Sequence, residues 1–185
     1  MSNNVKENYI LLEIEGKHLE SAYSVYIIEV NNKENNKESK YYYIGQTGDS
    51  QYITARSPLR RLMGHLTDVK SSTQNQIFKY FAKELLKNRK DANEPYSGEE
   101  KQKIESFFVK SKIKMYSFPL KKFSYNANKQ DHREKRKQVI EFEKQVIKLF
   151  KESGKILMNK NIHSNVNETI QFVEEYNEIK RLFNL

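Results

Sequence analysis

The chain has no cysteine and no tryptophan. The first absence removes disulfides and thiolate-bound zinc. No apolar run approaches the roughly 20 residues of a membrane span. The opening stretch, MSNNVKENYILLEIEG, lacks the basic-then-apolar layout of a secretory signal. A cytoplasmic protein with no membrane partner is expected. There is no internal repeat, and no linker divides residues 1–185, so a single domain is expected.

What is present is positive charge. Lys and Arg number 33 against 24 Asp and Glu, a formal +9. Such an excess suits a polyanionic partner, nucleic acid most often. A lysine-rich protein whose charge only aids solubility is the alternative. Twelve Tyr and ten Phe supply aromatic side chains for a core and for stacking on bases.

Along the chain, Tyr23 to Val30 (YSVYIIEV) reads as a strand, rich in Val, Ile and Tyr. The polar run NNKENNKESK reads as a solvated loop, and Tyr41 to Gln46 (YYYIGQ) as a second strand of an antiparallel hairpin. Residues 47–56 form a loop with Gly48 and Asp49. Ser57-Pro58 is a helix start, a cap followed by proline. Leu59, Leu62, Met63 and Leu66 form its apolar stripe, while Arg61 and His65 share another face. Helices follow over about 73–89, with Ile77, Phe78, Phe81 and Leu85 inward, and over about 99–109. Lys112 to Leu120 alternates as a third strand. A long helix after the basic stretch 124–137 stops at Gly154, and a last helix covers about 167–183. The fold class is α/β (α+β): a small, mainly antiparallel three-stranded sheet flanked by helices, with helical insertions.

Glu143 stands out. At 100° per residue it lies on the same side of its helix as Val139, Ile140, Phe142, Val146, Ile147 and Phe150, while Glu141 and Lys148 lie opposite. A carboxylate on a core face needs a cation or a metal beside it. A structural salt bridge or a snorkelling rim residue is the competing account.

Five pieces now occur in order: Ser24-Val25-Tyr26, then Tyr43-Ile44-Gly45, then LRRLMGHL with Arg61 and His65, then FEKQVIKLF with Glu143, then LMNKN with Asn159. This set, over about residues 23–160, resembles the GIY-YIG nuclease superfamily. Ser24 stands where the first tripeptide has glycine. The loop between the tripeptides is long, and an insertion of about 70–110 separates Arg61 from Glu143. The resemblance implies a metal-dependent DNA endonuclease acting on double-stranded DNA. It implies Tyr26, Tyr43, Arg61, His65, Glu143 and Asn159 as the catalytic set, with Glu143 holding Mg²⁺ or Mn²⁺.

The chemistry of these residues fits that reading. Arg61 suits a phosphate through paired N–H donors, and it is preferred to Arg60 because it shares a face with His65. His65 suits phosphate contact or a proton relay near neutral pH. Tyr26 is the candidate general base if nearby positive charge favours its phenolate, and Tyr43 orients water or phosphate. Which tyrosines share a face depends on hairpin register. Gly45 suits close backbone approach. Asn159 fixes parts of the site or serves as a turn residue. His18, His132 and His163 show no metal-ligand spacing.

The short stretch after Glu143 and the missing cysteines point to a compact, stand-alone nuclease, most like a type II restriction enzyme. Such an enzyme often acts as a homodimer on a palindromic site. Lys129, Arg133, Lys135, Arg136 and Lys137, with the 70–110 insertion, are the candidates for DNA contact; a solvated helix start is the other account of that run. The alternatives are another phage or mobile-element nuclease of the superfamily, a catalytically inactive nucleic-acid-binding domain, and a small basic protein with a protein partner.

Overall fold

The structure, a computed structural model, describes residues 13–34, 37–67, 75–87, 89, 94–160 and 166–185. His163 and parts of the expected insertion (68–74, 88 and 90–93) lie outside the described residues.

Strand β1 (Ala22–Glu34) pairs antiparallel with β2 (Lys37–Gln46) on one side and with β3 (Ser111–Lys122) on the other. A fourth, two-residue strand, β4 (Ile156–Leu157), runs parallel to β2 beside Tyr41 and Tyr42. The order is β3-β1-β2-β4. The mixed α/β class is as expected, with four strands instead of three. Two residues are too short a run to show periodicity, so β4 has no signature of its own.

In the polar stretch 31–40, residues 31–34 and 37–40 are not the loop their composition suggests. The ladder continues through Asn31↔Lys40, Asn32↔Ser39 and Lys33↔Glu38. Backbone pairing does not need apolar side chains, and here polar ones bridge. Asn31 Nδ2 donates to Glu38 Oε1 at 2.5 Å, and buried Asn32 donates to Ser111 Oγ at 3.0 Å.

Both faces of β1 are covered, so its residues read as nearly continuous apolar sequence. On one face Tyr23, Val25, Ile27, Tyr42, Ile44 and Phe118 pack against α4 (Lys129–Glu152). That helix contributes Val139, Phe142, Val146, Ile147 and Phe150, and α5 (Val173–Phe183) adds Ile179 and Phe183. The side chain of Asn128 caps α4 at Asp131 N, and Gly154 stops it at φ +70°. On the other face Tyr26, Ile28, Val30 and Tyr43 meet residues of α1 (Pro58–His65), α2 (Gln76–Leu85) and α3 (Gly98–Val109).

Two helices differ from expectation. The segment before α5 stays non-helical because buried Gln145 donates to the carbonyls of Asn167 and Thr169 at 2.7 and 2.9 Å. On α1, Met63 is 57 % exposed and His65 is 1 % exposed. The Arg61–His65 side, and not the apolar stripe alone, turns toward the sheet. Among the described residues no helix is long and apolar enough to cross a membrane.

Candidate active site

β4 accompanies β2 only at Tyr41 and Tyr42, which leaves the outer edge of β2 beyond them without a strand. There Asn159 takes over. Its Oδ1 accepts from Ile44 N at 3.0 Å and its Nδ2 donates to Ile44 O at 2.7 Å. One amide side chain thus satisfies both backbone groups of Ile44, which would otherwise be costly to leave unpaired.

Along this edge lies an open cleft of about 400 Å³. It is lined from both sides of the sheet: Arg61 comes from α1, and Arg136, Glu143 and Ile147 come from α4. Tyr43, Asn159, Lys160, Asp49 and Arg56 complete its working surface. Four cationic side chains against two carboxylates leave the walls net positive, and Asp49 is already paired with Arg56 at 2.9 Å.

The hairpin register settles the tyrosine question. Tyr26 stands opposite Gly45 and Tyr43 opposite Ile28, so Tyr26 and Tyr43 share the α1 face; Tyr23 and Tyr42 face α4. Tyr26 is fully buried. Its hydroxyl lies 2.9 Å from His65 Nε2 and accepts from Arg61 Nε at 3.1 Å. The Tyr43 ring packs on His65 at 4.4 Å between centroids. Gly45 makes the arrangement possible: a Cβ there would sit 2.6 Å from Tyr26 Cζ and collide with the hydroxyl as well.

Arg60 is exposed, while Arg61 is partly buried and bonded to Tyr26. Helix phase therefore separates the two arginines as their spacing suggested.

Burial controls the titration of this cluster. Desolvation drives the His65 pKa down to about 3, and the neighbouring Arg61 charge adds to it. The ring therefore stays neutral at physiological pH, instead of titrating near 7 as its residue type suggested. Its Nδ1 is buried with no hydrogen-bond partner among the described residues. With Tyr26 protonated, its O–H donates to Nε2 in one ring tautomer and leaves Nδ1–H without an acceptor, whereas the other tautomer leaves the phenol O–H without one. Only the phenolate form of Tyr26 accepts from both His65 Nε2–H and Arg61 Nε–H. Desolvation nevertheless raises the Tyr26 pKa to about 12, against the lowering effect of Arg61. Tyr43 is raised as well, mainly by burial.

Glu143 is partly exposed at the cleft wall. Desolvation pushes its pKa up to about 7; Arg61, Arg136 and Lys144 pull the other way without prevailing. No hydrogen bond or salt bridge among the described residues engages its carboxylate. Asp49 behaves oppositely. Burial works against its charge, but N–H groups of Gln51 and Tyr52 and the Arg56 guanidinium outweigh that and lower its pKa. Among the described residues there is no cluster of three His, Cys, Asp or Glu side chains that would cage a metal. One desolvated, unpaired carboxylate facing a cleft fits a divalent ion of the magnesium type, which keeps waters and phosphate oxygens as its other ligands.

The basic run of α4 divides around the helix. Arg136 lines the cleft, two turns before Glu143 on the same face, and its Nε donates to Gly48 O at 3.4 Å. Lys129, Arg133 and Lys137 are exposed, and Lys135 is paired with Asp131 at 2.9 Å. His132 is buried: Nε2 donates to Asp49 O at 3.0 Å, and Nδ1 lies 2.7 Å from the Tyr23 hydroxyl. Sequence reasoning missed Arg56 and Lys160. The only signal for Arg56 was its place between the strand carrying Gly45 and the helix carrying Arg61, a segment that must border whatever those two elements build.

No protein-family model, curated protein or solved structure matches this chain. The functional reading therefore rests on the site itself.

Proposed function

We propose that this protein is a divalent-metal-dependent endonuclease of the GIY-YIG type that hydrolyses phosphodiester bonds in double-stranded DNA, most like a compact restriction enzyme. One observation carries the reading. Tyr43, Arg61 and Glu143, from three distant parts of the chain, border a single net-positive cleft, with Tyr26 bonded to Arg61 just behind it.

Each residue has a task that follows from its surroundings. Arg61 holds the scissile phosphate through its terminal N–H groups, since its Nε is already committed to Tyr26. Arg136 and Lys160 neutralise the flanking backbone. Glu143 presents its ionised carboxylate to the cation. A Mg²⁺ or Mn²⁺ ion held there supplies charge neutralisation for the phosphate and lowers the pKa of water.

In the hydrolytic step a water oxygen bonds to phosphorus, the bond to the leaving sugar oxygen breaks, and a second water protonates that oxygen. Tyr26 first releases its phenol proton to solvent, and the resulting phenolate then takes up the proton of the attacking water. The phenolate form of Tyr26 is steadied by the N–H groups of Arg61 and His65. With a pKa of about 12 Tyr26 is almost entirely protonated, so positive charge gathered on substrate binding is needed to populate the basic phenolate. His65 acts as a neutral donor and positions Tyr26. Asn159 positions β2.

Incubation of supercoiled plasmid with the protein and Mg²⁺ or Mn²⁺, with EDTA as control, tests the proposal. Nicked or linear product that EDTA abolishes is expected. Intact plasmid under all conditions refutes it. Sequencing the ends separates a restriction enzyme, with discrete ends, from a nonspecific nuclease. A two-fold dimer accompanies the restriction reading, and gel filtration with and without palindromic duplex measures it.

A further inference from the structure

The loop between β2 and α1 is held far more firmly than a connector requires. Gly48 and Ala55 form an antiparallel bridge across it, and Ala55 is fully buried. Asp49 N donates to Thr54 O at 3.0 Å, and Arg56 N donates to Thr47 O at 3.1 Å. The Asp49 carboxylate accepts from Gln51 N, Tyr52 N and Arg56 Nη2. Helix α4 grips the same loop from behind through His132 and Arg136. The tip that emerges is apolar: Tyr52 is 66 % exposed and Ile53 is 43 % exposed.

This tip stands beside the cleft. Thr47, Gly48, Asp49, Ser50 and Arg56 all line it. Tyr52 is two residues beyond Ser50, so their Cα atoms are within about 7 Å of each other. Tyr52 is largely exposed and belongs to none of the core clusters of the described residues. A rigid support lowers the ordering cost of binding. Aromatic rings stack on bases of any sequence, and apolar side chains wedge between base steps.

We infer that Tyr52 and Ile53 form a contact element for the substrate, inserting against the bases of the duplex next to the phosphate held at Arg61. This rests on the nuclease reading and adds to it the residues that touch bases; the arginines of the cleft are left with the backbone. Tyr52 supplies the stacking face and Ile53 the apolar shoulder. Discrimination of sequence or of local duplex shape is then expected to depend on this tip.

The absence of native tryptophan allows a direct test. Tyr52→Trp places a lone tryptophan at the tip, and Glu143→Gln in the same chain keeps DNA uncut. Titration with duplex oligonucleotide is expected to quench the tryptophan emission and shield it from acrylamide. In the otherwise native chain Tyr52→Ala should raise KM or Kd by about 10-fold. Tyr52→Phe should retain most of the native value, with thermal stability unchanged in both. Unchanged emission, while anisotropy of labelled duplex reports binding, overturns the inference and leaves the nuclease reading intact. So does a Tyr52→Ala enzyme with native KM and native cut positions. An emission change that follows protein concentration without DNA assigns the tip to self-association and also overturns it. If the Glu143→Gln chain with native Tyr52 binds no duplex even at low salt, the nuclease reading fails, and the inference fails with it.

Discussion

On the α4 face of the sheet, Tyr42, Phe150 and Phe183 close on one another with ring centroids 5.1 to 5.8 Å apart. On the α1 face, Tyr26 and Tyr43 from the same two strands meet a neutral histidine and an arginine. The first trio gains from burial and edge-to-face ring contact. The second buries hydroxyls, an imidazole and part of a guanidinium, and burial works against the charged form of each titratable group there. The strands alternate between a face whose ring contacts stabilise and a face where burial of polar groups costs stability. Strained titration at a cleft is the pattern expected of a working site.

The contrast can be broken by substitution. Glu143→Ala should reduce cleavage about 1000-fold or more while DNA binding persists, because it removes the anchor for the cation and little packing. Plasmid nicking alongside an electrophoretic shift measures both. Strong cleavage by this variant would mean that the acid on α4 belongs to the structure and not to the chemistry.

Phe150→Ala probes the packed aromatic trio under α4, two turns beyond Glu143 on the same helix. Its ring is fully buried between Tyr42 and Phe183, so about 3–5 kcal/mol of stability should be lost. Urea denaturation reads that directly. Activity of the remaining folded enzyme, measured well below the midpoint, should stay near native. A large loss of specific activity there would show that the two faces are not separable.

Arg61→Ala should slow cleavage about 100-fold, in the range seen on removing one electrostatic contact to a reacting group. Arg60→Ala, on the exposed side of α1, should change it by no more than about twofold. The reverse ranking would place the phosphate on the other side of α1 and detach Tyr26 from the reaction.

These sites differ in how far they could be read from the chain. The Glu143 helix was plain, since six apolar neighbours repeat at helical spacing around one acid and Gly154 ends the run. Ser57-Pro58 marked the start of α1 equally well, and Ser57 Oγ indeed accepts from Arg60 N at 3.4 Å. His65 lies off the apolar stripe of α1, yet it is buried. Which side of a short amphipathic helix meets a sheet depends on what the sheet offers, and this one offers the hydroxyl of Tyr26, 39 positions earlier in the chain. Tyr26 and Tyr43 could not be paired before the register was known, because a one-residue slip sends one of them to the other face. The continuation of the hairpin past Val30 was hidden for a related reason. Its polar side chains carried a loop signal, while the ladder that orders them is made of backbone.

The smallest expected effect compares two acids of one cleft. Glu143 has a pKa of about 7 in the fold against an ordinary 4.5. Between those values the folded protein holds a proton that the unfolded chain releases, so this group's contribution to stability falls as pH rises from 4.5 through 7. Asp49 is lowered, so its contribution is present at neutral pH and is lost as acid titrates it in the folded state. Glu143→Gln should therefore raise Tm by a few degrees at pH 8, on the order of 2 kcal/mol, with the gain shrinking as pH falls toward 4.5. Asp49→Asn should lower Tm at pH 8. Added Mg²⁺ should raise the Tm of the native protein but not that of Glu143→Gln, since only the charged acid gains from the ion. Differential scanning fluorimetry across pH 5–8, with and without Mg²⁺, resolves all three. A Glu143→Gln chain less stable than native at pH 8 would mean that this carboxylate is already compensated by its cationic neighbours, and the two acids would then be structural partners of the same kind.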